Sequence, residues 1–176
     1  MIPGTLIALL TFPGVMVHEM AHQFFCRLFR VAVYDVCYFR IGNPAGYVIH
    51  EVPSAPYQSI LISVGPFLFN SVLAALIGLP AVIPAWEFGG GTFFDGFLIW
   101  LAVSIGMHAF PSTGDAQSMW QGVWSRDTFF LTKLVTLPLV AIIYLGALGS
   151  MIWLDLLYGV GIVMLIPNLL VQALAG

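Results

Sequence analysis

Five apolar stretches constrain the fold of this chain more than any other feature. Each is close to the ~20 residues that a helix needs to cross the hydrocarbon core of a bilayer. Only 7% of the 176 residues are charged, whereas soluble domains carry roughly 25%. We therefore expect an all-α polytopic membrane protein, a single membrane-embedded domain over residues 1–176 with about five transmembrane helices in the lipid bilayer. The five stretches are residues 2–25, 57–83, 92–110, 129–148 and 151–174.

The segments next to these stretches predict two further elements. Residues 31–41 are rich in valine, tyrosine and phenylalanine, residues 42–46 (GNPAG) are typical of a turn, and residues 47–49 (YVI) are again strand-prone. This order predicts a small β-hairpin between the first two transmembrane helices. The less apolar residues 111–124 follow the third stretch, and we expect them to continue its helix to the membrane edge.

An HExxH motif, His18-Glu19-Met20-Ala21-His22, lies inside the first apolar stretch. On a helix, His18 and His22 are one turn apart on the same face, so both imidazoles can reach one metal ion. Zinc activates water for attack on a peptide carbonyl, and Glu19 can accept a proton from that water without being a ligand. The motif therefore predicts Zn²⁺ bound by His18 and His22, with Glu19 as a catalytic residue.

A catalytic zinc site needs a third protein ligand, because HExxH supplies only two. Asp115 is the best candidate, since its carboxylate helps to neutralise the ion where unbalanced charge is costly. A carboxylate that follows Pro111 and Gly114 is also typical of a helix N-terminus. His108 is the alternative ligand. It could instead donate a hydrogen bond to a developing oxyanion, or bond to another polar group inside the helix bundle.

The basic residues are distributed asymmetrically. If the apolar stretches alternate in direction, the hairpin and residues 124–133 share one side, while the loop of residues 84–91 on the other side carries Glu87 and no basic residue. The positive-inside rule then places the N-terminus outside, and the C-terminus and the active site toward the cytoplasm. A net charge of −3 without a basic stripe excludes nucleic acid as an expected partner. The basic residues are Arg27, Arg30, Arg40, Arg126 and Lys133.

The chain resembles the site-2 protease family of intramembrane zinc metalloproteases in two motifs. That family has HExxH in one transmembrane helix and Asn-x-x-Pro…Asp-Gly in a later one, whose aspartate is the third zinc ligand. Residues 18–22 match the first motif. The second is matched by His108-x-x-Pro111…Asp115, with histidine in place of asparagine, one residue fewer between proline and aspartate, and Ala116 in place of glycine. The resemblance implies that Asp115 binds zinc and that His108 acts at the substrate or the oxyanion.

A third element of the resemblance lies in the second apolar stretch. Residues 65–70 (GPFLFN) resemble the Gly-Pro-x-x-Asn segment of the family's middle core helix, with Asn70 one residue late. In the family an edge strand near the active site holds the substrate extended, which implies this role for residues 40–51. We accordingly assign substrate binding to Asn70 and, in the hairpin, to Gly46, Tyr47 and Val48. The resemblance covers about residues 13–124 and leaves two additional helices, 129–174.

These features together predict an intramembrane zinc metalloendopeptidase that cleaves transmembrane or membrane-proximal segments of other membrane proteins. A membrane metal-ion transporter or sensor with the same ligands is the main alternative. A transporter needs polar sites across the whole bilayer, whereas His22 and Asp115 are expected at similar depth and the last two stretches are nearly free of polar residues. A non-catalytic scaffold of the same fold is the second alternative, and the intact Glu19 argues against it.

Overall fold

A computed structural model describes residues 4–124 and 128–175, which are mainly helical. The helical class and the small hairpin expected from the sequence are both confirmed. A π-helical turn, Ile83–Glu87, extends α3, and a 3₁₀ turn, Ser150–Ile152, joins the last two helices. The elements in chain order are α1 (Gly4–Leu10), α2 (Phe12–Leu28), β1 (Val33–Cys37), β2 (Tyr47–His50), α3 (Pro56–Val82), α4 (Phe93–Met107), α5 (Thr113–Trp124), α6 (Phe130–Gly149) and α7 (Leu154–Ala175).

Three of the described helices are long and apolar enough to cross a membrane, rather than the five expected. They contain Pro56–Ala85, Phe130–Gly149 and Leu154–Ala173. The pair α1 and α2 would make a fourth span if it counted as one broken segment. The remaining apolar stretch forms α4, which is shorter than the other spans at 15 residues. The chain therefore has the composition and helix lengths of a membrane protein, with fewer full-length spans than the hydropathy pattern indicates.

The first apolar stretch is broken at Thr11, where α1 and α2 meet at 85°. Pro13 lies in the first turn of α2, where its missing N–H removes a bond that would otherwise continue α1. Side chains of α4 donate hydrogen bonds to two carbonyls at the bend. Trp100 Nε1 donates to the carbonyl of residue 10, and Ser104 Oγ donates to the carbonyl of Thr11. The expectation of one continuous helix over residues 2–25 is therefore wrong.

The third apolar stretch ends earlier than expected. Helix α4 stops at Met107, and α5 begins at Thr113 as a separate helix. Pro111 cannot donate a helical hydrogen bond, and Ser112 Oγ accepts the N–H of Asp115 in the manner of an N-cap. Residues 111–124 thus start a new helix and do not continue the preceding one.

Helix α3 is the centre of the bundle and packs against α2, α4, α5 and α7. Small residues permit this close packing: Ala74 of α3 and Ala102 of α4 are fully buried beside Val163 of α7. Helices α2 and α4 approach so closely that a Cβ atom on Gly14 would lie 2.0 Å from the carbonyl oxygen of Ser104. Helix α6 packs on α5. The last two helices are therefore part of the same bundle as the first five.

The hairpin packs against α2 and is antiparallel, with Val36 opposite Val48 and Cys37 opposite Tyr47. Its two strands are joined by residues 38–46, a longer connection than the expected turn. This placement holds β2 beside the helix that carries the HExxH motif.

Candidate metal centre

The structure brings His18, His22 and Asp115 together. One nitrogen of each imidazole and one carboxylate oxygen of Asp115 all lie within 4.8 Å of one another. The two histidine Nε2 atoms are 3.1 Å apart, and His22 Nε2 is 3.0 Å from Asp115 Oδ1. His18 Nε2 is 3.7 Å from Asp115 Oδ2. Helix α2 supplies both histidines and the start of α5 supplies the aspartate, so the group forms only because α4 and α5 are separate helices.

The hydrogen bonds of the two imidazoles fit a metal ion at the centre of this group. His18 Nδ1 donates to the carbonyl of His108 at 2.7 Å, and His22 Nδ1 donates to the carbonyl of Ile62 at 2.9 Å. If neither Nε2 is protonated, both direct lone pairs into the space between them, an arrangement that a bound cation would stabilise. Two ligands ~2.0–2.1 Å from a tetrahedral ion are ~3.3 Å apart, close to the spacing of these nitrogens. This group could hold a metal ion.

Asp115 has two roles in the structure. Its Oδ2 accepts hydrogen bonds from the backbone N–H of Ser112 at 2.6 Å and from Ser112 Oγ at 2.7 Å. These bonds form a capping box at the start of α5. The carboxylate therefore caps a helix and also faces the histidines, and the cap fixes its direction before any ion binds. The Ser-x-x-Asp spacing is the sequence signal that could have identified Ser112.

Glu19 is nearly buried, with 9% of its surface exposed, and does not belong to the group of three. Its side chain packs against the hairpin connection at Gly46. A Cβ atom on Gly46 would lie 2.7 Å from Glu19 Cγ and 3.1 Å from Glu19 Oε1. Any larger residue at position 46 would collide with the Glu19 side chain and displace it from its position beside the histidines.

A cleft of about 440 Å³ opens beside the group of three. Three elements form its wall: α2, the hairpin, and the start of α5. The predicted substrate residues Gly46, Tyr47 and Val48 all line it. Tyr47 Oη donates to Asp35 Oδ2 at 2.9 Å, and this hydrogen bond raises the pKa of the Tyr47 phenol. The other lining residues are Glu19, His22, Asn43, Pro44, His50, Ser112, Thr113, Gly114, Asp115, Gln117 and Ser118.

His108 and Asn70 lie behind His18 and do not line this cleft. The ring Nε2 of His108 bonds Thr11 Oγ1 at 2.8 Å, at the bend between α1 and α2. Asn70 has no exposed surface, and its Nδ2 donates to the carbonyl of His108 at 3.0 Å. The Asn70 side chain is thus occupied inside the bundle, and its assigned contact with substrate stays a prediction. The carbonyls of Ile62 and His108 were not identified from the sequence, because the type of the residue that carries a backbone acceptor does not mark it.

Comparison of the chain with protein-family models, with curated proteins and with solved structures finds no match. The resemblance to the site-2 protease family therefore rests on the motifs quoted above and on nothing further.

Proposed function

We propose that this protein is an intramembrane zinc endopeptidase of the site-2 type. The observation that carries the proposal is that both HExxH histidines and Asp115 meet at one point, with Glu19 next to them on an open cleft. His18, His22 and Asp115 would hold the ion. When bound, zinc would polarise a peptide carbonyl and activate water for attack on it.

Glu19 is the residue that moves protons in this proposal. Its carboxylate accepts a proton from the attacking water and then gives it to the amine that leaves the cleaved peptide bond. The surrounding chain supports this role, because Gly46 and the body of α2 hold the side chain at the cleft.

The proposed substrate is an extended segment of a membrane protein, in or next to its transmembrane helix. Unwinding a helix frees backbone N–H and C=O groups, which are costly in a bilayer unless they find partners. Strand β2 lines the cleft, and within the described residues its sheet contains no strand besides β1. An extended peptide could pair with the other edge of β2.

The same proposal includes the orientation expected from the charges, with the cleft toward the cytoplasm. Arg27 and Arg30 lie at the end of α2 and Arg40 lies in the hairpin connection, on the side of the bundle that carries β2. Arg126 falls outside the described residues and adds no structural support.

We expect the purified full chain to contain about one zinc per molecule, since the three ligands form one site. Chelation should abolish hydrolysis of fluorescent casein and of a reconstituted single-span membrane protein, and added zinc should restore it. Metal content and cleavage are measured on the same sample. Zinc binding without hydrolysis, accompanied by zinc flux into proteoliposomes, would instead favour the transporter alternative.

Gly46→Ala should slow hydrolysis by roughly 10²-fold, the effect typical of displacing a catalytic group by about 1 Å, and should leave zinc content unchanged. The added methyl group would overlap Glu19 Cγ and push the carboxylate away from the cleft. Gly42→Ala is the matched control, because a Cβ atom there would meet only Arg40 Nε, at 3.8 Å. Equal rates for the two variants would contradict this placement of Glu19.

A further inference from the structure

Both histidines of the metal group donate their Nδ1 proton to a backbone carbonyl. The acceptor of His22 lies within α3, and the acceptor of His18 lies just after α4. Such carbonyls are normally occupied, because in an α-helix each one accepts the N–H of the residue four positions later. An imidazole can use one as its main acceptor only if that N–H is missing or directed elsewhere. The chain meets this condition at both carbonyls, and proline is involved each time.

The acceptor of His22 is the carbonyl of Ile62, inside α3. The residue four positions later is Pro66, which has no N–H and whose ring turns the carbonyl of residue i−4 away from the helix axis. His22 Nδ1 donates a hydrogen bond to this carbonyl oxygen at 2.9 Å. Pro66 is itself almost fully buried, so its ring also fixes the local packing of α3.

The acceptor of His18 is the carbonyl of His108, just after α4. Three residues later is Pro111, again without an N–H, and four residues later is Ser112, whose N–H donates to Asp115 Oδ2 at 2.6 Å. The carbonyl of His108 is therefore free to accept hydrogen bonds from side chains. It accepts from His18 Nδ1 at 2.7 Å and from Asn70 Nδ2 at 3.0 Å.

Asn70 follows Pro66 by one turn of α3 and also donates to this second carbonyl. Its Nδ2 also reaches the carbonyl of Ile105, at 3.5 Å. Because both neighbours are acceptors, the amide must present its NH₂ group to them. Its Oδ1 is buried and has no partner among the described residues. The unpaired oxygen lowers stability, so packing alone does not account for an asparagine here.

We infer that Pro66 and Asn70 are positioning residues of the metal centre. Pro66 releases the carbonyl that orients His22, and Asn70 anchors the carbonyl that orients His18. One helix, α3, thereby sets both imidazoles although it contributes no ligand. The inference rests on the proposed metal centre but is independent of whether the protein cleaves peptides.

The test compares zinc affinity and the stability of the metal-free protein in the full chain. Pro66→Ala gives Ile62 a helical N–H and draws its carbonyl back from His22. We expect zinc affinity, measured by competition with a chromophoric chelator, to fall by about 10–100-fold, as for other outer partners of metal-bound histidine. The thermal unfolding midpoint of the metal-free variant should change little, because the helical hydrogen bond gained with alanine offsets the packing lost with the buried ring. When Co²⁺ replaces Zn²⁺, the visible absorption spectrum of Pro66→Ala should differ from that of the wild type.

Pro80→Ala is the matched control. Pro80 lies in the same helix, is exposed, and is remote from the ligands, so its replacement should leave zinc affinity and the cobalt spectrum unchanged. Asn70→Leu, similar in size but without a donor, should lower zinc affinity. Its control is Ser71→Ala, which removes the contact between α3 and Tyr158 instead.

The outcomes separate the two proposals. Zinc bound by the wild type and equally tightly by Pro66→Ala and Asn70→Leu would overturn the inference and leave the proposed function intact. The inference would also be overturned if Pro80→Ala lost as much zinc affinity as Pro66→Ala. It would be overturned too if weaker zinc binding by Pro66→Ala came with a lower unfolding midpoint of the metal-free protein. In either case Pro66 would be a structural residue. A wild-type protein that binds no zinc would overturn the proposed function and the inference with it.

Discussion

Glu19→Gln is expected to abolish peptide hydrolysis while leaving the zinc content at the wild-type level. The amide has almost the shape of the carboxylate, so it should fit beside Gly46 without moving α2. It cannot accept a proton from the attacking water, and loss of a general base reduces rates by ~10²–10⁴-fold. Zinc should remain because Glu19 is outside the group of His18, His22 and Asp115.

The measurement is turnover of the fluorescent and membrane-embedded substrates at equal zinc content. Glu51→Gln is the matched control: it removes a carboxylate from an exposed residue that directly follows β2, and its turnover should equal that of the wild type. Hydrolysis by Glu19→Gln at a near wild-type rate would mean that another group takes the proton. A zinc-free Glu19→Gln protein would mean that the glutamate is a ligand.

Asp115→Asn should lose most of the bound zinc, whereas His108→Ala should retain it. Asparagine can still accept the N–H of Ser112 through Oδ1, so the capping box survives while the negative charge facing His22 is removed. Residue 108 reaches His18 only through its backbone carbonyl, which alanine keeps. His108→Ala should slow turnover, because the ring no longer ties Thr11 at the bend to the end of α4. Zinc content is measured after dialysis against a weak chelator.

The reverse pattern would change the assignment. Zinc lost from His108→Ala and kept by Asp115→Asn would indicate a site of three histidines, which requires the ring of residue 108 to leave Thr11 and turn toward the metal group. The strongest element of the resemblance to the site-2 protease family, the aspartate after Pro111, would then be removed.

The helical class, the hairpin and the pairing of His18 with His22 could be predicted because each depends on near neighbours in the chain. Apolar length, strand-prone residues and a spacing of four are local signals. The break at Thr11 and the end of α4 at Met107 were missed, although Pro13 and Pro111 stand next to them. Apolar content continues through both positions, and a hydropathy pattern does not register a missing N–H.

Contacts between distant segments were harder to predict. Asp115 was found through its position after Pro111, its charge and its expected depth, not through any sign that α5 would face α2. Asn70 was expected at the substrate because residues 65–70 resemble the Gly-Pro-x-x-Asn segment of the site-2 protease family. The structure gives it a buried contact with the carbonyl of His108. Burial depends on which helices pack together, and a single sequence does not contain that information.

The shortness of α4 has a consequence for the supply of water to the site. A helix of 15 residues measures ~22 Å along its axis, whereas the hydrocarbon core of a bilayer is ~30 Å thick. The bilayer becomes thinner beside a helix that is shorter than its hydrocarbon core, and water would fill the resulting indentation. The residue after α4 is His108, whose carbonyl accepts from His18, so in a bilayer the indentation would approach the metal group from behind His18. Hydrolysis consumes one water for each bond cut, and the short helix would deliver it without a channel through the bundle.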